Sequence, residues 1–109
     1  MSTGKRLIQK VTKYAGYMNG LSHPYRLAIV YLLSEEPMHL RDIQRATDLP
    51  ENLLIHHINI LVKEGWVTKA TEGRSAIYTL LPQAFVRIYE LFKGTGIEEH
   101  LKKKFSPKE

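Results

Sequence analysis

Residues 41–67 read RDIQRATDLPENLLIHHINILVKEGWV, and the way this stretch divides decides the fold. Arg41 to Thr47 carries a short helical pattern with Ile43 and Ala46 on its inward side. Asp48-Leu49-Pro50 leaves room only for a link. Glu51 to Glu64 then makes a longer helix, stopped by Gly65, with Leu49 placed to staple against Leu54. Two helices joined by so short a turn predict a helix-turn-helix. Directly after it, Trp66 to Thr71 and Arg74 to Leu80 are rich in β-branched and aromatic residues and flank Glu72-Gly73, which predicts a hairpin. A hairpin in that position is a wing. The expected fold is mainly α with a small β-hairpin wing, a winged helix-turn-helix in the order α-α-(β)-α-α-β-β-α.

Upstream, Lys5 to Met18 has apolar residues at Leu7, Ile8, Val11, Tyr14, Ala15 and Met18, while Lys5, Arg6, Lys10 and Lys13 fill the opposite arc of a basic amphipathic helix. Asn19-Gly20 suits a left-handed closure of that helix. A second helix starts at Ser22 or His23, takes Pro24 in its first turn, and runs through Leu33, with Leu27, Val30 and Leu33 or Ser34 inward. Pro37 ends it, and Met38-His39-Leu40 reads as a short strand. Downstream, Pro82 opens a helix in which Phe85, Ile88, Tyr89 and Phe92 form a stripe. Gly94-Thr95-Gly96 interrupts it, Ile97 to Lys104 forms a charged helix, and Ser106 to Glu109 is expected to fray. With no internal repeat and no long linker, residues 1–109 read as one domain.

The chain has 109 residues, 43% of them apolar, which suffices for one core and leaves the outer helices to gain stability from a second copy. A net charge of +5 favours a polyanionic partner through displacement of counterions from phosphates. The absence of cysteine removes disulfides, thiolate metal sites and a cysteine nucleophile. No stretch has the length of a signal-peptide core or a membrane span, so the expected location is the cytoplasm, without a membrane partner. No nucleophile–base pair, glycine-rich phosphate loop or carboxylate cluster supports an enzyme.

Four segments together resemble the ArsR-type winged-helix family of transcriptional regulators. They are Leu21-Ser22-His23-Pro24-Tyr25-Arg26-Leu27-Ala28-Ile29, then His57-Ile58, then Leu61-Val62-Lys63-Glu64-Gly65-Trp66-Val67, and finally Glu72-Gly73-Arg74 with Tyr78. Each also has a structural reading: Leu61, Val67 and Tyr78 are simplest as core residues, Gly65 as a helix stop and Pro24 as a helix start. The resemblance implies a homodimer that binds double-stranded DNA at a near-palindromic operator, with repression as the expected outcome.

At about 100° per residue, Leu54, His57, Ile58 and Leu61 fall on one side of the helix at 51–64, and Asn52, Ile55, His56, Asn59 and Lys63 fall in the opposite arc. That arc is expected to enter the major groove. An amide can pair with adenine, His56 can donate to a phosphate or base edge, and Ile55 can meet a thymine methyl. The family's serine before the histidine pair is replaced here by Ile55, and Pro50-Glu51 precede it, so Glu51 repels nearby phosphates and makes contact there weak or selective. Arg74 and Lys69 of the wing reach the backbone or minor groove as the resemblance implies, and Arg41 and Arg45 hold the backbone. The competing reading of these positions is an ordinary solvated surface.

For the outer helices the resemblance implies a dimer interface, with Leu7, Val11, Tyr14, Met18, Phe85, Ile88 and Phe92 as its residues; packing within one monomer is the alternative. Family metal sites fit poorly. The thiolate site cannot form, and Gln83, Arg87, Glu90, Glu98, Glu99 and His100 are no zinc constellation, so no cofactor is expected and the effector stays unknown. A rival function is a winged helix that binds protein, which the apolar Ile55 and acidic Glu51 permit.

Overall fold

The computed structural model describes residues 2–105, so the expected frayed end at 106–109 lies outside the described residues. Helix α1 (Thr3–Met18) starts two residues earlier than expected because the Ser2 hydroxyl accepts from the Lys5 amide and caps it. Asn19 does not turn left-handed. Its φ is −55°, and the chain runs on into a 3-10 turn, Asn19–Leu21. Helix α2 (Pro24–Glu35) has His23 as its cap, the imidazole Nδ1 accepting from the Tyr25 amide at 3.1 Å.

Helix α2 buries Ile29, Val30 and Leu33, whereas Leu27, expected inward, is 53% exposed. Residues 27–33 are almost uniformly apolar, so periodicity alone defines no face, and the neighbouring elements select one. Strand β1 (Met38–His39) leads into α3 (Leu40–Thr47), which buries Ile43. Ala46 is exposed, because it faces an open groove beside Ala28, Tyr31 and Leu32. The left-handed Asp48, φ 56°, ends α3, and the Gln44 side chain donating to the Leu49 carbonyl steadies the link.

Helix α4 (Glu51–Lys63) buries Leu54, His57, Ile58 and Leu61. It closes with two reversed bonds, Gly65 N–H to Val62 and Trp66 N–H to Leu61, which need the left-handed φ of 82° at Gly65. This closure explains why Trp66 is not a strand residue: its amide caps the helix, and its ring is fully buried. The indole N–H donates to the Tyr17 carbonyl at 3.0 Å, the ring stacks on Tyr17 at 4.8 Å, and Phe85 meets it edge-on at 5.5 Å. Trp66 thus pins the end of α1 and the start of the last helices to the base of the wing.

The wing is β2 (Val67–Glu72) and β3 (Ser75–Leu80), antiparallel from Val67↔Leu80 to Glu72↔Ser75. Its two-residue turn is Gly73-Arg74, one position later than expected, with Gly73 at φ 59° in the first turn position, where glycine is favoured. On the other side β3 pairs with β1 through Met38↔Tyr78, so the sheet order is β1-β3-β2. Helix α5 (Gln83–Leu91) follows, then α6 (Gly96–Phe105). Glu98 of α6 reaches back to accept from the Tyr89 hydroxyl and the Gly94 amide. The core lies between α2, α3, α4 and the sheet, with Ile29, Ile43, Leu54, Ile58, Leu61, Trp66 and Val67 at its centre.

Candidate nucleic-acid interface

Burial of Leu54, Ile58 and Leu61 fixes the roll of α4 and turns the opposite arc outward. Asn52, His56, Asn59 and Lys63 are exposed there, and Ile55 is half-buried. Between this arc, α3 and the sheet lies a cleft of about 660 Å³. Six of the residues expected to meet DNA line it together: Arg41 and Arg45 from α3, Ile55 and Asn59 from α4, Lys69 from β2 and Arg74 from the wing turn. Asn52, His56 and Lys63 share the exposed side of α4 without lining the cleft.

The cleft also contains residues that the sequence did not single out. His39 enters it because β1 pairs with β3, a non-local event that local patterns do not report, and its Nδ1 is buried without a partner among the described residues. Asp42 joins Glu51 as a second carboxylate. Four cations therefore face two acids on this surface. None of the four cations forms an ion pair or hydrogen bond among the described residues, which leaves their donors available to an anion. Chemically, the cleft offers cationic donors for phosphates and, from α4, an amide and a methyl-bearing side chain.

Beneath the arc, His57 is buried at 5% exposure, as its angle on the helix predicts. Its Nδ1 lies 3.2 Å from the Arg26 guanidinium. Burial pushes its pKa down, and the nearby His23, Arg26 and His56 push it further in the same direction.

On α1 and the segment 83–92, Leu7, Met18, Phe85 and Phe92 are exposed, while Val11, Tyr14 and Ile88 are half-buried. Part of the expected interface stripe is therefore used inside the chain: Phe85 touches Trp66 and Ile88 packs on the core. Among the described residues no three metal-ligating side chains cluster, and no helix is long and apolar enough to cross a membrane.

Residues 23–69 match the model of the bacterial regulatory protein, arsR family. No curated protein sequence matches the chain. Three solved structures are similar in fold. The transcriptional regulator HlyU from Vibrio vulnificus has a TM-score of 0.68 at 22% identity, covering 83% of this chain and 95% of its own. The transcriptional repressor BigR from Xylella fastidiosa has a TM-score of 0.67 at 18% identity, covering 98% and 100%. A crystal structure of an ArsR family transcriptional regulator has a TM-score of 0.67 at 20% identity, covering 89% and 95%. The matched family and these neighbours are transcriptional regulators, not enzymes. Over α2, the helix-turn-helix and the start of the wing, this chain is similar to the ArsR family of bacterial regulatory proteins.

Proposed function

We propose that the chain is a sequence-specific double-stranded DNA-binding transcriptional regulator that acts in the cytoplasm as a homodimer and represses by occupying its operator. The observation that carries this reading is the convergence of Arg41, Arg45, Lys69 and Arg74 with Asn59 and Ile55 on one concave surface. The four cations hold phosphates and set the register of the duplex. Asn59 reads a base edge and Ile55 a thymine methyl, with α4 in the major groove and the wing on the backbone or minor groove. Asn52, His56 and Lys63 extend the contact along the exposed side of α4. Asp42 and Glu51 oppose close phosphate approach, which lowers nonspecific affinity and favours selective sites.

In this reading residues 1–109 form one domain, and the apolar residues left on α1 and α5 pair with those of a second copy. The two copies of α4 then face successive major grooves of a near-palindrome. BigR is a repressor, which supports the same outcome here.

Selection of bound duplexes from a random pool tests the proposal, with an enriched near-palindrome as the expected result. A salt titration on the selected duplex is expected to show a steep loss of affinity, with a log–log slope of about −0.9 per phosphate contacted. No enrichment together with salt-insensitive or absent binding overturns it and favours a protein-binding winged helix.

A further inference from the structure

Arg26 is half-buried and uses its guanidinium twice. Its Nε donates to the Gly20 carbonyl at 2.6 Å, in the 3-10 turn that follows α1, and its Nη1 lies 3.2 Å from Nδ1 of His57 on the inward side of α4. A guanidinium has donors and no acceptor, so Nδ1 must offer a lone pair and the imidazole proton must sit on Nε2. The bond exists only while His57 is neutral.

The surroundings enforce that state. The His23 ring centre is 4.4 Å from that of His57, with its own Nδ1 already engaged by the Tyr25 amide. Tyr25 stands edge-on to His57 at 5.5 Å, and His56 is 5.0 Å away. Among the described residues the titratable or charged groups against His57 are His23 at the start of α2, Tyr25 and Arg26 from α2, and His56 from α4, while the buried Glu64 carboxylate at the end of α4 packs against Gly20, the other anchor of the strap. A proton added to His57 removes the lone pair that Arg26 uses and sets imidazolium against guanidinium. Burial and these neighbours keep His57 below its ordinary value, so the neutral form prevails at neutral pH.

We propose that Arg26 is a positioning residue for the DNA-reading helix, strapping α4 to the end of α1 through neutral His57, so that protonation of His57 slackens α4 and weakens DNA binding. The proposal rests on the reading of α4 as the helix that meets DNA. It gives acidification an unusual sign. Added positive charge ordinarily strengthens binding to phosphates, whereas a proton on His57 breaks the strap and weakens it.

The test titrates the full chain with the duplex selected from the random pool, at fixed ionic strength, from about pH 8 through the ordinary histidine range and on down to the lowest pH at which the chain stays folded. Circular dichroism at each pH shows that the chain stays folded. Wild type is expected to lose about tenfold in affinity on acidification, the scale of one charge-assisted hydrogen bond. His57→Asn keeps a side-chain acceptor near the position of Nδ1 and takes up no proton, so it is expected to retain affinity at the high-pH end and show a flat or rising profile. Arg26→Lys reaches only one of the two acceptors and is expected to weaken binding by about tenfold already at high pH. Parallel profiles for wild type and His57→Asn overturn the proposal, as does affinity that rises on acidification in both.

Nitrogen NMR of the histidine rings in the free chain separates the two layers of the argument. An Nε2–H tautomer at His57 supports the strap, and an Nδ1–H tautomer overturns it. A chain that binds no duplex at any pH overturns both the DNA reading and this proposal, and an Nε2–H tautomer in that chain locates the error in the DNA reading rather than in the strap geometry.

Discussion

Helices α1 and α4 both carry an apolar stripe on a polar background, yet they meet opposite fates. Helix α4, thirteen residues long, buries four of them, and Leu54, Ile58 and Leu61 have no accessible surface. Helix α1, sixteen residues long, buries none and leaves Leu7 58% and Ile8 63% exposed. An apolar stripe states that a face needs cover, not who supplies it. For α4 the cover is α2, α3 and the sheet of the same chain. For α1 it is partly α5, and under the proposed function it is a second copy.

The strongest way to break this comparison is to remove the same kind of side chain from each helix. Ile58→Ala leaves a cavity in a closed core and is expected to lower the unfolding free energy by about 2–5 kcal/mol in urea denaturation. Leu7→Ala, measured at concentrations where the chain is monomeric, is expected to change it by no more than about 0.5 kcal/mol. Equal losses would show that α1 is packed within its own chain and that the contrast is false.

A charge on the α1/α5 face sharpens the comparison next. The double variant Leu7→Glu/Phe92→Glu places its carboxylates at both halves of a two-fold interface and is expected to raise the dimer dissociation constant by at least about tenfold in analytical ultracentrifugation. Operator affinity should fall with it, by about 10²-fold or more, because the second half-site is no longer bound intramolecularly. A monomeric wild type would instead remove the dimer from the proposed function.

The two helices also show what local sequence can and cannot carry. The division of residues 41–67 was legible because punctuation does the work: Asp48 and Pro50 separate two helices and Gly65 ends the second. The face of α4 was legible because polar Asn52, His56, Asn59 and Lys63 alternate with Leu54, Ile58 and Leu61 at helical period. The face of α2 was not, since Leu27 to Leu33 is apolar nearly all round and only packing selects Ile29 over Leu27. Trp66 read as a strand residue because its side chain favours one, while its amide was needed to close α4. The His39 position in the cleft and the meeting of His23 with His57 depend on chain segments far apart in sequence, and composition carries no trace of them.

Within the cleft, the contrast between cations and readers is smaller and can be tested by paired truncation. Arg74→Ala is expected to weaken binding to every duplex alike and to reduce the salt slope by about 0.9 for each of the two copies bound. Asn59→Ala is expected to cost about 1–3 kcal/mol only at duplexes carrying its preferred base, relaxing preference at one position. Binding measured on a panel of single-base variants separates them. A uniform effect of Asn59→Ala would leave the groove-reading role of α4 unsupported.

The smallest effect expected comes from the one polar residue buried among the apolar residues of α4. His57 has its pKa lowered in the folded chain by burial and by His23, Arg26 and His56, while in the unfolded chain it returns to its ordinary value. Between those two values the unfolded state holds more protons, so stability falls as pH is lowered. The stabilisation is fully present above the ordinary histidine pKa, is lost progressively as pH falls from there toward the folded-state value, and levels off below it. His57→Asn removes this group, so subtracting its thermal midpoints from those of wild type at each pH should give a difference that changes only in that window. A difference that is constant with pH would show that His57 titrates alike in both states, and that its place beside Arg26 imposes no preference for the neutral ring.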